Sequence, residues 1–206
     1  MSTKKAQVIE LSAVSNGGAT DIEMFPYLVS VTITGSAPFL FHAWNIDGIE
    51  AKAKSAKGSA AKKSDAIETY VYRCEDNTIG IPGEYLRMAI VNAAKYRQDP
   101  RSPRKSAMDL YKAGIVSLTE IASLKKTDWD YVDRRRVMVQ RAGITRSRPA
   151  MRDWTAEFLL QVLTPEYINA SNLIDVISTA GRLIGIGDFR PTFGRFNVTH
   201  YEVVDV

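Results

Sequence analysis

The sequence predicts an α+β domain with the element order β-α-β-β-α-β. Three observations carry that prediction. Tyr27–Thr34 (YLVSVTIT) alternates along a β-branched run and reads as the first core strand. Glu84–Tyr96 and Tyr167–Leu183 place apolar residues at helical spacing. Tyr131–Gln140, Thr155–Leu163 and Phe193–Val204 read as the three remaining strands. That order is the split βαβ, or ferredoxin-like, pattern.

Taken in chain order, Met1–Asp21 is polar and ends near Gly17-Gly18, which predicts a loose arm with a short strand at Gln7–Leu11. One domain then spans 22–206. Gly35 and Pro38 end the first strand, and a large insertion, Gly35–Ile81, separates it from the first helix. Within it, 50–65 is almost entirely Ala, Lys, Ser and Gly, with Lys52, Lys54, Lys57, Lys62 and Lys63 and little to bury, so it predicts a mobile basic loop. Ile67–Arg73 reads as a short strand. Pro82-Gly83 opens the first helix, whose Leu86, Ile90 and Ala93-Ala94 share a face and whose Glu84 sits at the positive end of the dipole. Gln98–Lys105 is a Pro-broken basic loop, and Ile115–Leu118 is another short strand. Arg141–Asp153, with Gly143 and Pro149, reads as a long hairpin joining the two middle strands; its arginine-rich stretch covers 134–153. Ile168, Leu173, Ile174 and Ile177 form the apolar stripe of the second helix.

Composition narrows the class. The chain has 206 residues, enough for one core without staples. A single cysteine, Cys74, excludes an internal disulfide, so a reducing cytoplasm is the expected setting, in a prokaryotic cell or a phage-infected host. Cys74 itself reads as a core-facing residue of a strand. No signal peptide and no apolar run of membrane-spanning length is visible, so no membrane partner is expected. Lys plus Arg exceeds Asp plus Glu by 27 to 23, a mild excess whose placement matters more than its size.

The placement is uneven. Seven arginines, Arg134, Arg135, Arg136, Arg141, Arg146, Arg148 and Arg152, occur with no acid among them. Guanidinium forks pair bidentately with phosphate and stack on bases. On Tyr131–Gln140, Val132, Arg134, Arg136 and Met138 share one face, as a sheet surface receiving a ligand would require, while Arg135 takes the other. Lys95, Arg97, Arg101, Arg104 and Lys105 form a second cluster, and the lysine loop a third. Together they predict one groove that tracks a phosphate backbone. Trp44, Tyr131, Trp154, Phe189 and Phe193 lie near these segments as candidates for base stacking; taken singly each reads first as a core residue, and Phe189, in a Gly/Pro-rich loop, as the one most exposed.

The sharpest motif is Gly185–Phe196 (GIGDFRPTFGRF), which joins the last helix to the last strand. Gly185 and Gly187 permit left-handed backbone and close approach of another backbone, and Arg190 and Arg195 flank that approach; Gly194 completes the glycine-rich loop. It is not a P-loop, because no Gly-Lys-Ser/Thr follows and the order is helix-loop-strand. On Gly185, Gly187, Arg190, Phe193, Gly194, Arg195 and Phe196, the chain resembles the RAMP superfamily of CRISPR-associated proteins. Ile81–Arg87 (IPGEYLR) resembles the entry to the first helix in the backbone subunits of CRISPR effector complexes. The resemblance implies an RRM-like fold, single-stranded nucleic acid as ligand, a β-hairpin thumb, and assembly into a homo-oligomer or filament along the strand. A compact phage-encoded relative fits the same pattern.

Enzymatic signals are sparse. His42 is suited to neutral-pH acid/base work, and Asp47 is an acidic residue in the loop after the first strand. Neither has a partner at a telling spacing. His200, on the last strand, reads as structural. No zinc spacing exists, and neither a metal nor a cofactor is expected. The sequence therefore predicts a non-enzymatic protein that binds single-stranded RNA or DNA largely without regard to sequence. The alternatives are a metal-independent endoribonuclease using His42, a phage protein-interaction module that mimics a CRISPR subunit, and a structural phage protein.

Overall fold

The structure, a computed structural model, describes residues 25–43, 54, 67–139 and 142–204. The expected arm, the lysine loop apart from Lys54, Trp44, Asp47 and Arg141 lie outside the described residues. Strand β1 (Tyr27–Gly35) is followed by β2 (Phe39–Leu40). A 3-10 helix at Ile67–Tyr70 leads to β3 (Tyr72–Arg73) and β4 (Ile79–Pro82). Helix α1 (Gly83–Ala93) ends in a 3-10 turn, Ala94–Tyr96. Then come β5 (Gln98–Asp99), β6 (Ser102–Ser106), α2 (Met108–Gly114), β7 (Ile115–Ser117) and β8 (Ile121–Ser123). The hairpin strands β9 (Tyr131–Val139) and β10 (Ala142–Met151) precede β11 (Thr155–Val162). Helix α3 (Ala170–Thr179) widens into a π turn, Ala180–Ile184, and β12 (Phe196–Val204) closes the described chain.

This is an α+β architecture. The largest sheet has the order β12-β1-β11-β7, and its neighbours are antiparallel. Helices α1 and α3 cover one face. Val29, Val31 and Ile33 of β1 alternate inward and meet Ala156, Phe158 and Leu160 of β11. Leu86, Ala89 and Ile90 of α1 and Leu173, Val176 and Ile177 of α3 complete this core. Full burial of each large aliphatic side chain stabilises by about 1.5–3 kcal/mol, so this face dominates folding. Asn169 caps α3, its side chain accepting the Asn172 N–H at 2.8 Å, which starts the helix three residues later than the periodicity of Tyr167–Leu183 suggests.

The structure departs from expectation at the middle strands. The neighbour of β11 is the three-residue β7, and Tyr131–Gln140 is not in this sheet at all. β9 pairs instead with β10, from Tyr131 opposite Ala150 to Val139 opposite Ala142. The physical reason is visible in β9: three consecutive arginines leave neither face free of charge, whereas Ile115 of β7 buries completely. The expected hairpin Arg141–Asp153 is instead the second strand of a longer one, β10 paired with β9. Its base is anchored where β10 pairs with β2, Ala150 to Leu40 and Met151 to Phe39.

Three smaller differences follow. Ile67–Arg73 is mostly 3-10 helix, Gln98–Lys105 forms the short hairpin β5–β6, and the last strand begins at Phe196 rather than Phe193. Cys74 is only partly buried. No described helix is long and apolar enough to cross a membrane.

Candidate nucleic-acid interface

Two surfaces could receive a strand: the open face of the large sheet and the edge formed by the glycine-rich loop. The open face carries Ser30, Thr32 and Thr34 of β1 with Thr155 and Glu157 of β11. Thr34 Oγ1 lies 3.1 Å from Thr155 Oγ1 and 3.3 Å from Thr199 Oγ1, and Ser30 donates to Glu157 at 3.3 Å. These side chains offer hydroxyls and a carboxylate. Lys125 and Lys126 line a hollow with Thr32, Thr155 and Glu157, but no aromatic ring lies among these residues for a base to stack on.

The other surface is built differently. The glycine-rich loop is laced to the segment after β1: Gly194 N–H donates to Pro38 O at 2.8 Å, Ile186 N–H to Gly194 O at 2.9 Å, and Asp188 N–H to Leu40 O at 3.1 Å. Gly194 has φ 71°, and a Cβ there would lie 1.7 Å from the Ile186 carbonyl oxygen. Gly187 has φ 81°, and a Cβ would strike the Phe39 ring. Gly185 also has a positive φ and closes the π turn, its N–H donating to Ala180 O. Only glycine meets these demands without strain.

The loop displays Phe189 in the left-handed region, φ 58°, a conformation that costs a non-glycine residue about 1–2 kcal/mol. Its N–H donates to Asp188 Oδ1 at 2.8 Å, and its ring stays 39% exposed. Phe193, nearly buried, meets it edge to face with centroids 6.3 Å apart. Arg135 lies over both rings, 4.6 Å from Phe193 and 5.4 Å from Phe189, and Arg148 lies 5.7 Å from Phe189. Asp133 pairs with Arg135 at 2.8 Å and orients it. Asp188 accepts from the Arg148 Nε, the one close ionic tie between loop and hairpin among the described residues.

His42 joins this cluster. Its ring stacks on Tyr70, centroids 4.8 Å apart at 12°, and its buried Nδ1 lies 3.6 Å from Asp188 Oδ2. Burial holds the imidazole pKa below 6.5; Asp188 opposes that shift, and Arg148 and Arg146 add to it. Tyr85, in the first turn of α1, has its phenol 3.4 Å from that of Tyr72 and is close enough to feel Asp188 and Arg190. Burial raises its pKa well above the usual phenol value.

The structure therefore brings together Arg146, Arg148, Arg190, Gly187, Phe189, Phe193 and His42. Arg134 and Arg136 are exposed on the opposite side of β9, with Met138 66% exposed, and they form no ion pair among the described residues. The face of β9 turned to the loop is that of Asp133 and Arg135, the reverse of the face the alternation argument favoured. Arg195 is turned back onto the loop, its Nε donating to Pro191 O at 2.8 Å. Arg152 lies over Tyr131 at 4.5 Å. Trp154 is a core residue, 3% exposed, whose indole donates to Ala37 O at 2.9 Å. His200 faces Glu202 at 3.4 Å on the last strand. Arg87 is structural, donating to the carbonyls of Ile115 and Lys112.

Lys95, Arg97, Arg101, Arg104 and Lys105 do not join the cluster. They follow the C-terminal end of α1, whereas Tyr85 and the glycine loop are at its N-terminal end. Sequence reasoning also missed Arg135, Asp188, Tyr70, Tyr72 and Tyr85. Asp188 carried a usable signal, as the one acid inside an otherwise basic, glycine-rich motif.

No family model matches this chain, and no curated protein matches it. Among solved structures, it is similar to a chain of a Type III-B Cmr-beta complex, determined by cryo-EM bound to cognate target RNA. The TM-score is 0.50 at 11% identity, over 88% of this chain. This chain spans 62% of the length of that one. At such identity the likeness is one of fold alone.

Proposed function

We propose that this chain is a single-stranded RNA-binding protein of RRM-like, ferredoxin-like topology, and that RNA lies along the edge made by the glycine-rich loop and the β9–β10 hairpin. The observation that carries the reading is the cluster of Arg135, Phe193 and Phe189 beside Arg148. It sets an exposed ring, held in a strained conformation, among guanidinium groups. A base can stack on Phe189, and phosphates can be neutralised by Arg146 and Arg190 beside it. The order β12-β1-β11-β7 with α1 and α3 on one face supports the topology. RNA is favoured over DNA because the similar solved structure carries target RNA. Discrimination among sequences is slight, since no side chain is arranged to read base edges.

The role is binding without cleavage, in keeping with the packing of the His42 ring on Tyr70 and the burial of its Nδ1. Self-association along the strand extends the few nucleotides one edge covers. The test is fluorescence anisotropy with labelled single-stranded RNA, comparing wild type with Phe189→Ala and with Arg146→Ala/Arg190→Ala. Phe189→Ala should weaken binding about tenfold, as expected for one lost stacked base. The arginine pair should lower the salt slope by about 1.4 units, at about 0.7 per phosphate on a single strand. Unchanged binding in both variants removes this edge from the interface, and cleavage of the RNA by wild type overturns the non-catalytic role.

A further inference from the structure

The hairpin β5–β6 is a second basic surface, separated from the first. From Tyr85, beside the glycine loop, to Lys95 the chain runs ten residues along α1 and its 3-10 extension, roughly 15 Å at 1.5 Å per residue. Two of the five cations here are engaged within the fold. Asp99, nearly buried, clamps Arg101: it accepts from its N–H and Nε, each at 2.9 Å, and from Nη2 at 2.8 Å, which holds the carboxyl down to about 2. Arg97 faces Asp175 of α3 at 3.5 Å. Lys95, Arg104 and Lys105 are exposed and form no ion pair among the described residues. Two exposed rings accompany them: Tyr96, 56% exposed beneath Lys95 at 4.8 Å, and Tyr167, 40% exposed beneath Arg101 at 5.7 Å.

We propose that this hairpin is a second, separate contact for single-stranded nucleic acid, engaging a part of the strand that the glycine-loop edge does not touch. Free cations interleaved with exposed tyrosines are what a single strand requires, phosphate neutralisation alternating with stacking. An acidic protein surface would need the charges and leave the rings unused. The Asp99–Arg101 clamp fixes the hairpin and presents Arg104 and Lys105 outward. At about 3.4 Å per stacked step, 15 Å takes four to five steps, whereas an oligonucleotide of four has three, about 10 Å. An oligonucleotide of four is therefore held by one site, and one of fifteen can reach both and gain from the linkage.

This inference shares the ligand class of the proposed function and not its site, so the two fail separately. The experiment measures anisotropy of labelled oligouridylates of four and fifteen nucleotides with the full chain, comparing wild type, Lys95→Ala/Arg104→Ala/Lys105→Ala, and Phe189→Ala. The triple variant should bind the 15-mer at least tenfold more weakly, with the salt slope lowered by about 2 units for three lost phosphate contacts. It should bind the 4-mer as wild type does, and Phe189→Ala should weaken both. An unchanged 15-mer affinity overturns the second site, including the case in which the triple variant alters only sedimentation and so marks a protein-facing surface. Equal losses on both lengths also overturn it, by merging the hairpin with the first site. A triple-variant effect confined to the 15-mer, with no effect of Phe189→Ala on either length, upholds the hairpin and sinks the glycine-loop edge.

Discussion

The open face of the large sheet and the glycine-loop edge belong to one domain and have opposite chemistry. On the open face, Thr34 bonds to Thr155 on one side and to Thr199 on the other, and Ser30 bonds to Glu157. These are uncharged hydroxyl contacts and one hydroxyl–carboxylate contact, each made to a neighbouring strand. On the loop edge, a left-handed phenylalanine lies between two guanidiniums, and one of these, Arg148, meets Asp188 together with a half-buried histidine. The sheet face is cheap to alter, because each contact is worth tenths of a kcal/mol. The edge is costly, because its charges are desolvated and its backbone is over-determined. A surface that keeps strain and buried charge where a simple hydroxyl face would fold as well is the better candidate for recognition.

The comparison breaks most sharply at Gly194. Gly194→Val sets a side chain against the Ile186 carbonyl in a backbone region that excludes it, and should cost about 3 kcal/mol or more in chemical denaturation. A variant as stable as wild type would mean the loop is not laced to the core as described. Asp188→Ala comes next. It leaves Arg148 buried without its counter-charge, an expected loss of about 2–4 kcal/mol, together with weakened RNA binding as the hairpin loses its tie to the loop.

The same variant bears on pH. His42 has a folded pKa below its unfolded 6.5, so the unfolded chain takes up a proton more readily as pH falls below about 6.5. Stability should therefore decline between pH 7 and 5, and His42→Gln should remove part of that decline. Asp188→Ala takes away the one group that favours the imidazolium and should steepen the His42 contribution. Urea midpoints at pH 7.5 and 5.5 measure both, and a decline untouched by His42→Gln would assign the acid sensitivity elsewhere. The smallest effect belongs to the other surface: Thr34→Ala with Thr155→Ala should cost under about 1 kcal/mol and leave RNA affinity within twofold. A large binding loss there would return the sheet face to the interface.

Reading the sequence located the edge but not its wiring. Glycine and arginine spacing in Gly185–Phe196 marked the loop, because a chain that must turn with positive φ beside another backbone has few residues to choose from. Strand alternation placed Arg134 and Arg136 together on one face of β9, and the structure agrees. It could not say which face meets the loop, and the answer, that of Asp133 and Arg135, depends on how β10 hangs from β2. Nor could spacing reveal that the cations near α1 lie a helix length from the hairpin arginines, or that Asp99 and Asp175 already engage two of them.

By itself the sequence determined the local chemistry: an α+β set of elements, a core face on β1, an uninterrupted arginine stretch, and a loop only glycine could build. Those properties follow from side-chain periodicity and backbone sterics, which act within a few residues. Only the tertiary structure decided that β7 rather than β9 borders β11, that Asp188 joins His42 to Arg148, and that the basic residues fall into two surfaces. Pairing partners and through-space charge contacts depend on residues 40 to more than 140 positions apart. They are settled by which arrangement buries apolar area without burying unpaired charge.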